Sequence, residues 1–206
     1  MTPRADVARI LRRSAELGLL GPAAIEDHIE RSAAFASAVG QEPEHALDLG
    51  AGGGVPGLVL AALAWRRCHV VLVDAGLRRT VFLRDAVRAL DLEPRVAVVR
   101  GRAEEVGRDG GHRGHYDVVV ARAFGPPAVV AECGAPLLDV GGRLVVSEPP
   151  GSPDLSRWPE PGLARLGLVP MFSIADGRRF VELRLVTPVS ERFPRRTGVP
   201  AKRPLF

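Results

Sequence analysis

The sequence predicts an α/β fold: a seven-stranded, mostly parallel sheet covered by helices on both faces and finished by a C-terminal antiparallel hairpin. Three observations carry this. Short, near-continuous apolar runs alternate with helix-patterned segments, as buried parallel strands and their crossover helices do. A glycine-rich turn follows the first apolar run and opens a helix. The last two runs are separated by nothing longer than a tight turn.

Residues 5–17 place Val7, Ile10, Leu11 and Leu17 on one side of a helix. Pro22 opens a second helix, whose apolar face includes Ile25, Ile29, Ala33 and Ala36. Strands are expected at 46–49, 69–73, 96–99, 117–121 and 143–147, with helices at 57–65, 77–90 and 127–138. Runs 168–174 and 179–187 flank Ala175-Asp176-Gly177, which makes them a hairpin. The organisation expected is a helical extension over 1–40, one ligand-binding domain over 41–187 and a basic tail over 188–206.

A chain of 206 residues that is 46% hydrophobic fits one domain with short extensions and excludes a disordered chain. No stretch is long and apolar enough to span a bilayer. The first twenty residues carry Arg4, Asp6, Arg9, Arg12, Arg13 and Glu16, which interrupt any secretory apolar core, so a cytoplasmic location is expected. The two cysteines, Cys68 and Cys133, have no metal-ligand spacing and read as reduced, buried residues; no metal is expected. The net charge of +4 is local. Residues 188–206 hold Arg192, Arg195, Arg196, Lys202 and Arg203 against one acid, Glu191, and the remainder balances to zero.

The segment Asp48-Leu49-Gly50-Ala51-Gly52-Gly53-Gly54-Val55-Pro56-Gly57 carries the chemistry. Glycines between a strand and a helix let the backbone turn sharply and approach a ligand. A dinucleotide fingerprint fits only in the register Gly52, Gly54, Gly57. Starting from Gly50, Val55 stands where the third glycine belongs. The pattern Asp-x-Gly-x-Gly-x-Gly, from Asp48 through Gly50, Gly52 and Gly54, accounts for more of the segment. An acid at Asp48 would repel a dinucleotide phosphate but suits the amino-acid end of S-adenosylmethionine. Asp74 ends the second strand about twenty residues on, where an acid accepts from ribose hydroxyls. The layout resembles the Rossmann-like class I S-adenosylmethionine-dependent methyltransferases, in which a parallel sheet ends in a hairpin.

Further segments resemble one family, the bacterial small-subunit rRNA guanine-N7 methyltransferases of the glucose-inhibited division protein B type. They are Val55-Pro56-Gly57, the basic run 77–84 ending Phe82-Leu83-Arg84, Gly101-Arg102-Ala103-Glu104-Glu105, the strand end Ala121-Arg122-Ala123-Phe124, and the Pro/Gly-rich basic tail. The resemblance runs from about Gly18 to the end. It implies that Gly50 and Val55 contact the cofactor's methionine end, Asp74 the ribose, and Ala103 and Glu104 the adenine. Arg122 would face both cofactor and substrate and serve as the catalytic residue. Arg195, Arg196, Lys202 and Arg203 would contact phosphates of small-subunit rRNA. The enzyme is expected to act as a monomer.

Two departures from the family pattern fall on the substrate side. Ser147-Glu148-Pro149-Pro150 replaces Lys-Gly after the fifth strand, and Glu148 would repel an RNA phosphate. In Asp27-His28-Ile29-Glu30-Arg31-Ser32, the acid before the serine has become Arg31. Guanine N7 carries a free lone pair and no proton, so its methylation requires alignment rather than a general base. Two alternatives stay open: a paralogous methyltransferase acting on a small molecule or another RNA, and a non-catalytic S-adenosylmethionine-binding module.

Overall fold

The computed structural model describes residues 2–149 and 155–206. Helices α1 (Pro3–Glu16) and α2 (Ile25–Val39) precede the sheet. The alternation then runs β1 (His45–Leu49), α3 (Gly57–Leu63), β2 (His69–Asp74), α4 (Leu77–Ala89), β3 (Val96–Arg100), α5 (Ala103–Val106), β4 (Tyr116–Ala121), α6 (Pro127–Gly134) and β5 (Leu138–Ser147). After α7 (Glu160–Ala164) comes the hairpin β6 (Leu168–Ala175) and β7 (Arg178–Leu185), and α8 (Val199–Lys202) lies in the tail. The sheet order is β3-β2-β1-β4-β5-β7-β6, parallel from β3 to β5, with β7 antiparallel to both neighbours.

Strand side chains alternate between two cores, as the two-residue period requires. Val118 and Val120 of β4 face the layer built by α1 to α4, where Leu11, Ile29, Phe35, Leu58 and Leu83 pack. Val119 and Ala121 face the other layer, with Val130, Trp158, Leu163 and Phe193. Residues 1–40 therefore bury their apolar faces in the same core as α3 and α4, and the tail buries Phe193 in the opposite one.

Three differences from the sequence expectation have local causes. The helix expected over 127–138 stops at Gly134, because Pro136 has no N–H for a helical bond; a 3-10 turn takes its place and β5 begins at Leu138. The short helices α5 and α7 are too brief to show periodicity in sequence. The second helix begins at Ile25 with Ala24 as its N-cap, not at Pro22, and its buried face takes Ala34 while Ala33 is exposed.

Candidate active site

In this strand order the connections reverse between β1 and β4. Open α/β sheets bind ligands beyond the carboxyl ends of the strands at such a point. Two cavities open there, one on each side of the β4 end. The first, about 390 Å3, is walled by the glycine loop, the ends of β2 and β3, and segment 123–126.

The backbone of the loop is pinned to β2. Gly50 and Ala51 both donate to the Val73 carbonyl, at 2.9 and 2.8 Å, and Gly52 donates to Asp74 Oδ2 at 3.0 Å. Gly50 lines the cavity with φ +82°, and a Cβ there would stand 2.6 Å from the Phe124 ring. The position requires glycine both for its left-handed backbone and for the close approach. Gly54 and Val55 lie further along the loop. Val55 packs against the core and is not among the residues lining the cavity.

Asp48 is 1% exposed. Its Oδ2 accepts from Gly57 N–H at 2.7 Å, while Oδ1 is buried with no partner. Burial, with a smaller contribution from the charge of Asp74, pushes its carboxyl up to about 7 against the lowering effects of the Gly57 bond and Arg122. Asp74 lines the cavity and accepts from Gly52 and from Gly76 N–H (2.7 Å), with the Arg79 guanidinium 3.5 Å away. A carboxylate has about four acceptor sites, so Asp74 retains capacity for a ligand hydroxyl. Ala103 and Glu104 line the same cavity, and Glu104 Oε1 also accepts from Gly198 N–H in the tail at 2.8 Å.

The second cavity, about 280 Å3, lies across β4, β5 and β7 beneath α2. Arg122, directly after β4, lines it, while Ala123 and Phe124 line the first cavity, so the same short segment borders both. Arg122 Nη2 donates to His28 Nδ1 at 3.0 Å, and the other ring nitrogen of His28 lies 3.2 Å from the Gly21 carbonyl. These two partners assign His28 as the neutral tautomer protonated at Nε2. Arg122 Nη1 is buried with no partner, and desolvation lowers the pKa of this guanidinium. Arg179 of β7 also carries a buried, unpartnered Nη1. Arg31 and Arg178 share Asp27, at 2.7 and 3.2 Å, and hold its carboxyl below the ordinary range, with the Arg31 hydrogen bond the main cause.

Glu148 also borders this cavity. It receives Trp158 Nε1–H at 3.2 Å on Oε1 and a close ion pair from Arg157 on Oε2. The charge that looked misplaced in the sequence is thus compensated by Arg157. Sequence reasoning missed Arg178, Arg179 and Phe180 as cavity residues; their only signal was two successive arginines after the Asp176-Gly177 turn.

Arg195 turns inward: its Nε and Nη2 hold the two oxygens of fully buried Glu132, at 2.8 and 2.6 Å, and Nη2 also reaches the Arg203 carbonyl. Three of its N–H bonds are spent inside the protein, so it anchors the tail. Arg196, Lys202 and Arg203 are exposed, and Ala201 lines the first cavity. Among the described residues no helix is long and apolar enough to cross a membrane.

Comparison with known proteins places the chain. The family model for rRNA small subunit methyltransferase G matches residues 8–148. A protein of that name from Roseiflexus castenholzii is 38% identical over 173 residues, covering 81% of this chain and 73% of the relative. Another from Thermotoga maritima is 36% identical over 166 residues, covering 78% and 68%. Among solved structures, a putative O-methyltransferase from Klebsiella pneumoniae superposes with a TM-score of 0.61 at 13% identity, covering 88% of this chain and 90% of that one. An O-methyltransferase from Bacillus cereus in complex with SAH gives 0.59 at 13% identity, covering 87% and 90%. These last two likenesses concern the fold alone, whereas the family match and the two relatives, over most of the chain, make this protein a member of the rRNA small subunit methyltransferase G family.

Proposed function

We propose that this protein transfers a methyl group from S-adenosylmethionine to N7 of a guanine in small-subunit rRNA. The observation that carries the reading is the pair of cavities bordered by one segment, 122–126, beside the glycine loop. One cavity fits the cofactor and the other a base.

The residues of the first cavity suit the cofactor. The first cavity, lined at this end by Gly50, takes the methionine end, with Gly52, Gly54 and Val55 shaping the loop behind it. Asp48 Oδ1, an acceptor without a donor, pairs with the cofactor's ammonium or a water it holds. Asp74 accepts from the ribose hydroxyls, and Ala103 and Glu104 border the adenine. The bound cofactor supplies a methyl on a sulfonium centre, ready for in-line displacement. Arg122 then acts by orientation: His28 fixes its guanidinium, and its free Nη1 donates to guanine O6, leaving N7 open to attack. No residue has to remove a proton, in keeping with the neutral His28.

Arg196, Lys202 and Arg203 contact RNA phosphates and add affinity without sequence information. The ion pair of Glu148 with Arg157 removes the repulsion that favoured a small-molecule substrate. The protein works as a cytoplasmic monomer, which light scattering of the purified protein checks. The deciding experiment is transfer of labelled methyl to small subunits from a strain lacking the gene, followed by nucleoside mass spectrometry. Label in 7-methylguanosine is expected. No label, from protein that binds S-adenosylmethionine, would overturn the reading.

A further inference from the structure

Guanine presents two unlike edges to a pocket. O6 and N7 accept, while N1–H and the N2 amino group donate. A pocket that selects guanine over other bases therefore needs a donor on one side and an acceptor of two hydrogen bonds on the other. The second cavity offers both, in a row along the sheet. Arg122 stands at the end of β4, nearest the glycine loop; Glu148 follows the end of β5; Arg179, the second residue of β7, lies beside it, its carbonyl accepting from Glu148 N–H at 3.0 Å.

We infer that Glu148 is the residue that selects guanine, its carboxylate accepting N1–H and N2–H of the base while Arg122 donates to O6. This rests on the rRNA-methyltransferase reading and assigns the base-recognising group of the same site. Among the described residues each Glu148 oxygen takes one donor, Trp158 Nε1 on Oε1 and Arg157 on Oε2, and a carboxylate oxygen accepts two. Those two bonds also fix the carboxylate plane before substrate arrives, so little ordering is left for binding. The side chain is 8% exposed, so a base lacking the matching donors leaves its remaining acceptor positions desolvated and unfilled. The order Arg122, Glu148, Arg179 directs the N7 side of the base toward the cofactor cavity and the donor edge away from it. Arg179, with its free Nη1, takes an acceptor of the nucleotide beyond the base.

The test uses small subunits rebuilt around rRNA that carries guanosine or inosine at the methylated position, with that position first mapped from the wild-type product. Inosine keeps O6, N7 and N1–H and lacks only the N2 amino group. Wild-type protein is expected to favour guanosine by about tenfold or more in kcat/KM, the size of a lost hydrogen bond to a charged group. Glu148→Gln is expected to lower transfer to guanosine and to shrink the preference to within about twofold, with S-adenosylmethionine affinity unchanged. Trp158→Phe removes only a supporting donor. It should lower thermal stability and keep the guanosine preference, which separates recognition from a merely structural role. A wild-type enzyme indifferent to inosine, or a Glu148→Gln variant that retains full discrimination, overturns the inference and leaves the rRNA reading standing. Wild-type protein that binds S-adenosylmethionine and labels neither RNA overturns both.

Discussion

Replacing Asp48 with asparagine should stabilise the free protein at pH 8 and weaken its hold on S-adenosylmethionine at the same time. The carboxyl is fully buried, with one hydrogen bond and one bare oxygen, and its pKa rises from 3.8 to about 7, chiefly through desolvation. A raised carboxyl pKa means that the folded state holds its proton more tightly than the unfolded state. Its contribution to stability is complete below pH 3.8 and is lost as pH climbs through about 7. That loss is about 4 kcal/mol once both states are ionised. Asparagine never ionises and escapes it. Its amide places donors where Oδ1 had none to meet, which costs about 1–3 kcal/mol. The net expectation is a gain of about 1–3 kcal/mol at pH 8 and no gain at pH 5, where wild-type Asp48 is mostly protonated in the fold. Urea unfolding at the two pH values, with unchanged m-values, measures this. Calorimetric titration at pH 8 should show S-adenosylmethionine binding weakened by about tenfold or more. A variant destabilised equally at both pH values, or one that binds the cofactor normally, would refute the reasoning.

Three further outcomes follow from the geometry. Arg122→Ala should bind S-adenosylmethionine within about threefold of wild type yet lose about a hundredfold or more in methyl transfer, since orientation of the base is its task; equilibrium binding and single-turnover rates read the two separately. Arg195→Ala should cost about 3–5 kcal/mol, because it strands the buried Glu132 carboxylate, and should expose the tail to limited proteolysis. Gly50→Ala should be destabilised by about 1–3 kcal/mol and bind cofactor poorly, since the methyl meets Phe124 at a φ of +82°; thermal unfolding and calorimetry check both.

The cofactor side was largely legible in the sequence because its chemistry is local. Asp48, the glycines and Asp74 lie within twenty-seven residues, and the strand-turn-helix context follows from hydrophobic pattern alone. The substrate side was not. Glu148 looked like a misplaced acid because Arg157 and Trp158 are joined to it only by the fold, and Arg178 and Arg179 carried no pattern beyond their adjacency. The tail's pairings were hidden for the same reason. Nothing in Arg195 announces its bond to Glu132 of α6, sixty-three positions earlier, and nothing in Glu104 announces that it also accepts from Gly198 N–H. Propensity and periodicity describe a segment by itself, and these pairings exist only between segments.

Asp27 sits between Arg31 and Arg178 and joins α2 to the last hairpin, 151 positions away. The cavity beneath α2 therefore draws its walls from residues 31 to 180, and the cavity beside the glycine loop draws its own from residues 50 to 201. Closing such distant contacts is a late and slow event in folding. Neither cavity is complete until segments far apart in the chain have met, so both ligand sites are products of the closed sheet rather than of any one stretch of sequence.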